Sequence, residues 1–526
     1  MRPALSHRFA YLAAALWAAA LVLAAPAVAR AEVALPDVLA DAMVLQRGVR
    51  VPVWGRAAPG ETVTVSFAGQ TKKTLAGGDG RWLVWLDPLK ANATPATLTV
   101  SGTNKIELKD VLVGEVWLVA GQSNIQFTLA ETREAAAAIA AANHPLIRLF
   151  NVSRQVAFKH KPPPLATWQP CAPESVREFS AAGYYFAVEL QQELGVPVGV
   201  INSSYGGSQA EAWTPVEYLL ADAELKATVE RTKVWDEERA RVKVEYEEQI
   251  RQWREQADKA RAAGARPSPS PPVPDALREY RIAASIYDGM IAPLIPFPVR
   301  GAFWYQGESN EARAQQYGIL LPTMIRAWRE RWGQGDFPFG IVQLPNYRDP
   351  KAEPADEAWS HLREWQRRAA VATRNAGLIV TIDIGEAHDI HPKNKLDVGR
   401  RMARWALADV YGRRLTATGP MFRELKVNGS KLVLKFDDVG KGLRVRDGDK
   451  LDEFAVAGAD RKWHWAEARI VGKDRVEVWS PAVAAPVAAR YAFNNNPRHP
   501  NLTNDTGLPA APFRTDDWPG PTDGQR

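Results

Sequence analysis

The sequence predicts an α/β protein in which a doubly wound parallel sheet is flanked by an N-terminal and a C-terminal β-sandwich-like domain. Apolar strand-like runs alternate with helical stretches through residues 111–410, a rhythm typical of a parallel sheet with helices on both faces. Residues 32–110 and 411–526 instead carry short alternating segments separated by turn signals, which favours antiparallel β-structure.

Residues 1–31 are predicted to be a secretory signal peptide. Arg2 and Arg8 precede an apolar run over 11–25, and Ala-Arg-Ala at 29–31 offers a cleavage site with small residues at its ends. The run is short of the roughly 20 apolar residues that a membrane-spanning helix needs. We therefore expect an exported protein, periplasmic or secreted, without a membrane span after signal cleavage.

Charge and cysteine content exclude several classes of protein. Removal of three arginines with residues 1–31 lowers the formal net charge from +6 to +3, which is too slight to indicate a nucleic-acid partner. Cys171 is the only cysteine, so an internal disulfide and a cysteine-rich metal site are excluded. Stability must come from burial of a large core.

The N-terminal β-domain, residues 32–110, is predicted from alternating or β-branched segments bounded by Gly-containing turns. Its predicted strands are 51–55, 62–67, 82–86 and 96–100. In the C-terminal β-domain, the predicted strands are 431–436, 469–471, 475–479 and 488–493. The tail over 501–514 is rich in Pro and Gly and is predicted to be irregular.

The central region, 111–410, is predicted to hold the catalytic domain. Besides the strand that ends near Gly121, the predicted strands are 199–201, 301–305, 340–344 and 378–383. The predicted helices cover 180–193, 316–332 and 356–374, with another from 395 onward.

One insertion, 216–280, departs from this alternation. Residues 216–262 are dense in Glu, Lys, Arg and Ala without Gly or Pro, and 267–275 read Pro-Ser-Pro-Ser-Pro-Pro-Val-Pro-Asp. The pattern predicts a long charged helix closed by an extended linker. Such helices are usually solvent-exposed excursions; a lid or a partner surface is the alternative.

A serine stands just after a short apolar strand predicted near the start of the central region. Residues 116–120, Val-Trp-Leu-Val-Ala, are followed by Gly121 and then by Ser123. Glycine permits a sharp turn, and the carboxyl ends of parallel strands are where α/β sheets place their ligands. Ser123 is therefore a candidate nucleophile, although a turn and helix cap would produce the same pattern.

Three later stretches each follow a predicted strand and contain Gly207, Gln306 and His391. They are 202–208, Asn-Ser-Ser-Tyr-Gly-Gly-Ser; 304–310, Trp-Tyr-Gln-Gly-Glu-Ser-Asn; and 384–392, Ile-Gly-Glu-Ala-His-Asp-Ile-His-Pro. A glycine N–H and an amide NH₂ can stabilise an oxyanion, and an imidazole can take the proton of a serine. Each stretch also has a purely structural explanation, but their shared placement gathers them at one sheet edge.

These blocks resemble those of the SGNH (GDSL-like) hydrolases and are most similar to the sialate O-acetylesterase family. The matching residues are 121–124, Gly-Gln-Ser-Asn; 202–207, Asn-Ser-Ser-Tyr-Gly-Gly; 304–308, Trp-Tyr-Gln-Gly-Glu; and 389–392, Asp-Ile-His-Pro. The resemblance covers nearly all of the mature chain, since the leading β-domain and residues 507–514 are also similar. It implies an SGNH-hydrolase-like sheet.

The resemblance further implies roles for individual residues. Ser123 is implied to be the nucleophile and His391 the general base. The Ser123 N–H, the Gly207 N–H and the Gln306 side chain are implied to form the oxyanion hole. The third donor is usually an asparagine in the wider superfamily. The serine lacks the second glycine of a G-x-S-x-G elbow, which argues against an ordinary α/β-hydrolase lipase.

The third member of the triad is less clearly marked. The superfamily places an aspartate three residues before its histidine, and that position is His388 here. Asp389, two residues before His391, is the predicted orienting acid. Glu386 is the alternative, a backbone carbonyl is a third option, and Asp383 is expected to brace the backbone of its strand.

The sequence therefore predicts an exported esterase that removes O-acetyl groups from carbohydrates through an acyl-Ser123 intermediate, without a cofactor or metal. Two alternatives remain open: an esterase of lipase type acting on non-carbohydrate esters, and a carbohydrate-binding protein with a degenerate site. The sequence assigns neither the acetylated sugar nor an oligomeric state.

Overall fold

The computed structural model describes residues 32–156 and 165–526. The predicted signal peptide, 1–31, lies outside the described residues. Within the described residues, no helix is both long enough and apolar enough to cross a membrane.

The described residues form short and long strands that lie in one large mixed sheet and several smaller antiparallel sheets. In chain order they are β1 Val44–Gln46, β2 Val51–Arg56, β3 Thr62–Phe67, β4 Gln70–Leu75, β5 Arg81–Leu86, β6 Asn92–Ser101, β7 Lys105–Gly121, β8 His144–Asn151, β9 Trp168–Cys171, β10 Val198–Ser204, β11 Gly301–Tyr305, β12 Phe339–Val342, β13 Ala376–Ile379, β14 Met421–Asn428, β15 Lys431–Asp437, β16 Leu443–Val445, β17 Phe454–Ala457, β18 Trp463–Trp465, β19 Glu467–Val471, β20 Arg475–Trp479, β21 Ala488–Tyr491, β22 Leu502–Asn504 and β23 Phe513–Arg514.

The α-helices lie between residues 123 and 405, in the central region of the chain. They are α1 Ser123–Gln126, α2 Ala135–Ala140, α3 Pro173–Val176, α4 Ala181–Leu194, α5 Val216–Leu220, α6 Ala223–Ala262, α7 Ala314–Trp332, α8 Ala358–Ala372 and α9 Leu396–Trp405.

The central sheet has the strand order β13-β12-β11-β7-β10-β8-β9. The first six strands are parallel, and only the edge strand β9 runs antiparallel to its neighbour. Ser204 of β10 and Tyr305 of β11 are both register partners of Gly121 in β7. Three adjacent parallel strands therefore end at the same level, so the loops that follow them meet at one edge.

Helices cover both faces of this sheet because successive strand residues point to opposite sides. Phe303 stacks on the fully buried Trp117 at 5.0 Å between ring centroids, and Phe186 of α4 packs edge-on against Trp117. The next residue, Trp304, packs T-shaped at 5.8 Å on Trp328 of α7. Such aromatic pairs stabilise a core by about 0.5–1.5 kcal/mol each beyond the area they bury. α9 packs on α4, and α8 packs on α7.

The N-terminal strands join the central sheet through β7. The first half of β7 pairs antiparallel with β6 and parallel with β1, and its second half lies in the parallel sheet. β3 and β4 extend this mixed sheet, and β2 and β5 form a separate antiparallel pair. The boundary predicted at residue 110 thus falls inside one continuous strand, and the division into domains stays a prediction.

The C-terminal region folds as two four-stranded antiparallel sheets, β14-β15-β20-β19 and β18-β17-β21-β23, with the smaller pair β16-β22. Asp383, on the loop after β13, forms buried ion pairs with Arg401 of α9 at 2.7 Å and with Arg446 of the C-terminal region at 2.9 Å. Burial alone would raise the pKa of Asp383, but the two guanidinium groups outweigh it and hold the pKa below its usual value. Asp383 therefore links the two regions.

Several sequence predictions differ from the structure in detail. The composition of the tail over 501–514 predicts irregular structure, but Leu502–Asn504 pairs with β16 and Phe513–Arg514 pairs with β21. The helix expected over 216–262 is interrupted between α5 and α6, where Asp222 caps α6 by accepting the Glu224 and Leu225 N–H groups. The capping hydrogen bonds of Asp222 start a new helix there, so the chain does not form one continuous helix.

Candidate active site

Ser123 sits at the carboxyl end of β7 because Gly121 allows the chain to turn there. Gly121 has φ +137°, and a Cβ at this position would lie 2.2 Å from the Tyr305 carbonyl oxygen, so only glycine fits. The Gln122 N–H donates to that same carbonyl at 3.1 Å. The turn delivers Ser123 to the start of α1, partly exposed at the sheet edge.

His391 lies on the loop between β13 and α9 and reaches the serine directly. Its Nε2 is 2.8 Å from Ser123 Oγ. The His391 side chain is 38 % exposed, and the ring of Phe127 packs alongside the imidazole with 6.4 Å between the ring centroids. Burial first, and the nearby charge of Lys395 second, lower the pKa of His391 from its ordinary 6.5. A neutral imidazole near pH 7 can accept the serine proton.

The loop that carries His391 is fixed by a buried polar network. The Asn124 amide donates to the Ile390 carbonyl at 3.0 Å and to the Glu308 carboxylate at 2.5 Å. Lys395 Nζ donates to Asn124 Oδ1 at 2.7 Å and to the Pro392 carbonyl at 2.8 Å. Asn124 lies in one of the blocks that resemble the family but has no role predicted from sequence, and no local signal predicts the parts played by Glu308 and Lys395.

Lys395 is fully buried, which is unusual for a lysine. Burial lowers the pKa of Lys395 to about 7, against the raising effect of the Glu308 charge. Burial likewise raises the pKa of Glu308, although the Asn124 hydrogen bond opposes it. The two groups are joined through Asn124, the residue that follows Ser123 in the chain.

Asp389 is the predicted acid that the structure brings nearest to His391. Its Oδ1 accepts the His391 backbone N–H at 2.8 Å and lies 3.9 Å from the ring atom Nδ1. Of the charges that raise the pKa of His391, that of Asp389 is the largest. Glu386 instead accepts the Lys393 backbone N–H at 3.0 Å. The role of Asp389 as orienting acid stays a prediction.

Gly207 lies on a turn beside the serine. A Cβ on its neighbour Gly206 would be 3.5 Å from Ser123 Cβ, and the Gly206 N–H donates to Gln126 Oε1 of α1 at 2.7 Å. Gly207 has φ +73° and is partly exposed. Its own N–H donates to no group among the described residues, so it is free to bind an oxyanion.

Gln306 follows β11 as predicted, but it is fully buried. Its Nε2 donates to the Ser208 carbonyl at 3.2 Å and to Asn310 Oδ1 at 2.7 Å. Both N–H groups of this amide are thus donated within the protein, one to the residue after Gly207 and one to Asn310. A role as third oxyanion donor requires one of these bonds to be exchanged, and it stays a prediction.

Among residues 32–156 and 165–526, no group of His, Cys, Asp and Glu side chains could hold a metal ion. The arrangement of Ser123, His391 and the Gly207 turn has the parts needed for acyl transfer. These are a serine hydroxyl in contact with an imidazole, and a free backbone N–H on the neighbouring turn.

The chain is similar to known carbohydrate esterases. The sequence profile of the family described as "Carbohydrate esterase, sialic acid-specific acetylesterase" matches residues 113–260 and 276–408, which is more than half of the chain. The chain belongs to this family. As a member of the sialic acid-specific acetylesterase family, it is a carbohydrate O-acetylesterase, and the matched segments contain every residue of the site described above.

Similar proteins cover nearly the whole chain. The sialate O-acetylesterase of Homo sapiens is 27 % identical and spans 91 % of this chain and 92 % of its own length. The sialate O-acetylesterase of Mus musculus is also 27 % identical, over 90 % of this chain and 92 % of its own length. A crystal structure of a carbohydrate acetylesterase from Xanthomonas citri is 36 % identical with a TM-score of 0.77, covering 92 % of this chain and all of that one.

Proposed function

We propose that this protein is an exported serine esterase that removes O-acetyl groups from carbohydrates through an acyl-serine intermediate, on an SGNH-hydrolase-like sheet. The observation that carries this proposal is the 2.8 Å contact between Ser123 Oγ and His391 Nε2, where strands of a parallel sheet end. Relatives named sialate O-acetylesterase support acetylated sugars as the substrate class.

The reaction proceeds in two halves. Ser123 Oγ attacks the acetyl carbonyl as its proton passes to His391 Nε2, and the oxyanion that forms accepts hydrogen bonds from the Ser123 and Gly207 N–H groups, with Gln306 as the predicted third donor. Protonated His391 then gives its proton to the departing sugar oxygen. Water, deprotonated by His391, attacks the acetyl-Ser123 ester and releases acetate.

Acetate release from a panel of acetylated glycans tests this function. Purified protein lacking residues 1–31 is incubated with acetylated sialic acid, xylan and xyloglucan, and acetate is measured enzymatically. We expect one substrate class to be hydrolysed and Ser123→Ala to be inactive on it. Failure to release acetate from every glycan, with activity on 4-nitrophenyl acetate retained, would exclude the carbohydrate substrate.

A second assay addresses the alternative of a lipase-type substrate. We expect 4-nitrophenyl acetate to be hydrolysed faster than the butyrate and octanoate esters. A preference for octanoate would favour the non-carbohydrate alternative. Export is tested separately by fractionating cells that express the full chain and determining the N-terminus of the exported protein; an N-terminus at Met1 would contradict signal cleavage.

A further inference from the structure

The charged insertion, 216–280, returns to the active site at its far end. After α6 and the Pro-rich segment, the 3-10 turns Asp275–Leu277 and Glu279–Arg281 bring the chain to the Gly207 turn. Arg281, the residue that directly follows the insertion, donates its Nε–H to the Gly207 carbonyl at 3.3 Å, and its guanidinium pairs with Asp275 of the insertion at 2.7 Å. The insertion is therefore more than an exposed excursion.

The near end of the insertion is anchored as well. Arg231 of α6 donates at 2.7 Å to Glu211, which is completely buried and accepts the Asn310 amide at 2.8 Å. Burial would raise the pKa of Glu211, but the charges of Arg313 and Arg231 outweigh it and lower the pKa. Asn310 also accepts a hydrogen bond from Gln306. The insertion is therefore bonded near the active site at both of its ends, to Glu211 at one end and to the Gly207 turn at the other.

Two tyrosines stack on each other beside the Gly207 turn, close to Ser123. The rings of Tyr205 and Tyr280 are nearly parallel, 23° apart, with centroids 4.8 Å from each other. Tyr280 Oη and Cε2 lie 3.4 and 3.5 Å from the position of a Cβ on Gly207, and the adjoining Gly206 is next to Ser123. The tyrosine pair therefore stands next to the oxyanion donor.

Both tyrosines pack against the hydrophobic core but stay partly exposed. Within the described residues neither phenol hydroxyl has a hydrogen-bond partner. An aromatic face with a free hydroxyl at its edge offers an apolar surface and a polar tip together. A pyranose ring presents the complement, with C–H groups on its face and hydroxyls at its rim, and small-molecule sites are lined in this mixed manner.

We propose that Tyr205 and Tyr280 form the sugar subsite of the esterase, with the pyranose that carries the acetyl ester lying against this pair. Tyr280 comes from the insertion, so the insertion supplies a specificity-determining residue. The inference rests on the proposed function, because it takes the leaving group of the ester to be a sugar. The sugar ring begins one bond beyond the ester oxygen, so it must lie beside Ser123 and the Gly207 turn.

The test compares an ester that has a sugar with one that has no ring. Glucose pentaacetate and ethyl acetate are hydrolysed by wild type, Tyr280→Ala and Tyr280→Phe, and acetate release is followed by pH-stat titration. The measured quantity is the ratio of kcat/KM for the two esters. We expect Tyr280→Ala to lower this ratio about 10-fold through a higher KM for the sugar ester, and Tyr280→Phe to keep most of it, because the stacking face survives.

Tyr246→Ala is the matched control, since Tyr246 lies on α6 of the same insertion and its hydroxyl donates to the Pro271 carbonyl. This variant should keep the wild-type ratio. An unchanged ratio in Tyr280→Ala, or an equal fall in Tyr246→Ala, would overturn the sugar subsite. Failure of the proposed function has a different signature, because wild type would then release no acetate from any sugar ester.

Discussion

His391 Nε2 lies 2.8 Å from Ser123 Oγ although 268 positions separate the two residues in the chain. β7 carries the serine to the sheet edge, and the loop before α9 brings the imidazole to it. A base in hydrogen-bond contact with a partly exposed serine hydroxyl is the arrangement that nucleophilic catalysis needs.

Ser123→Ala and His391→Ala are each expected to abolish esterase turnover without unfolding the protein. Loss of either member of a nucleophile–base pair lowers kcat by about 10⁴-fold or more, leaving the catalysis that binding and the oxyanion hole supply. Both residues are partly exposed, so neither contributes much to the core. Initial rates on 4-nitrophenyl acetate and urea unfolding curves check both points; a variant that keeps more than roughly a tenth of kcat would remove that residue from the mechanism.

Asp389→Asn is expected to lower kcat substantially, though less than His391→Ala does. An acceptor on Nδ1 holds the imidazole in the tautomer that presents Nε2 to the serine, and Asp389 lies 3.9 Å from Nδ1. Glu386→Gln is the matched control, since Glu386 bonds to the Lys393 backbone. If Glu386→Gln proves the more damaging, it is the acid; if neither matters, the enzyme is a Ser–His dyad.

Gln306→Ala is expected to lower kcat by about 10²–10³-fold with little change in KM, as for the loss of one oxyanion donor. Asn310→Ala separates a direct from an indirect role, because Asn310 accepts one Gln306 N–H at 2.7 Å. A direct donor predicts a smaller kcat loss for Asn310→Ala than for Gln306→Ala. Equal losses of kcat in the two variants, or a rise in KM alone, would show that Gln306 only positions Ser208 and Asn310.

Lys395→Met is expected to move the acid limb of the pH–rate profile to higher pH. Activity requires neutral His391, so kcat/KM falls as pH drops through the pKa of His391, which is below its ordinary 6.5. Below about pH 7 Lys395 is charged and disfavours the imidazolium; without this charge the pKa of His391 rises. Exposed Lys393→Met is the control and should leave the limb in place. A limb that stays fixed in Lys395→Met would show that Lys395 does not tune His391.

The sequence by itself determined the alternation of strands and helices and the order of the four site blocks. Apolar runs such as 116–120 and 301–305 are local signals, and strand ends in a parallel sheet share one edge. The turn at Gly121 could be predicted for the same reason, because a sharp turn directly after a strand requires a particular residue type at that position. The same signals made Ser123 and His391 candidates for nucleophile and base, and the structure places the two side chains in contact.

The tertiary structure alone decided what the polar side chains do. Gln306 is turned into the core, Lys395 is buried against Asn124, and Tyr280 reaches Gly207 from the end of a long insertion. No local pattern predicts these outcomes, because the burial and the hydrogen-bond partner of a side chain depend on segments distant in sequence that pack around it. The choice of acid depends on a loop conformation that i, i+2 spacing does not fix.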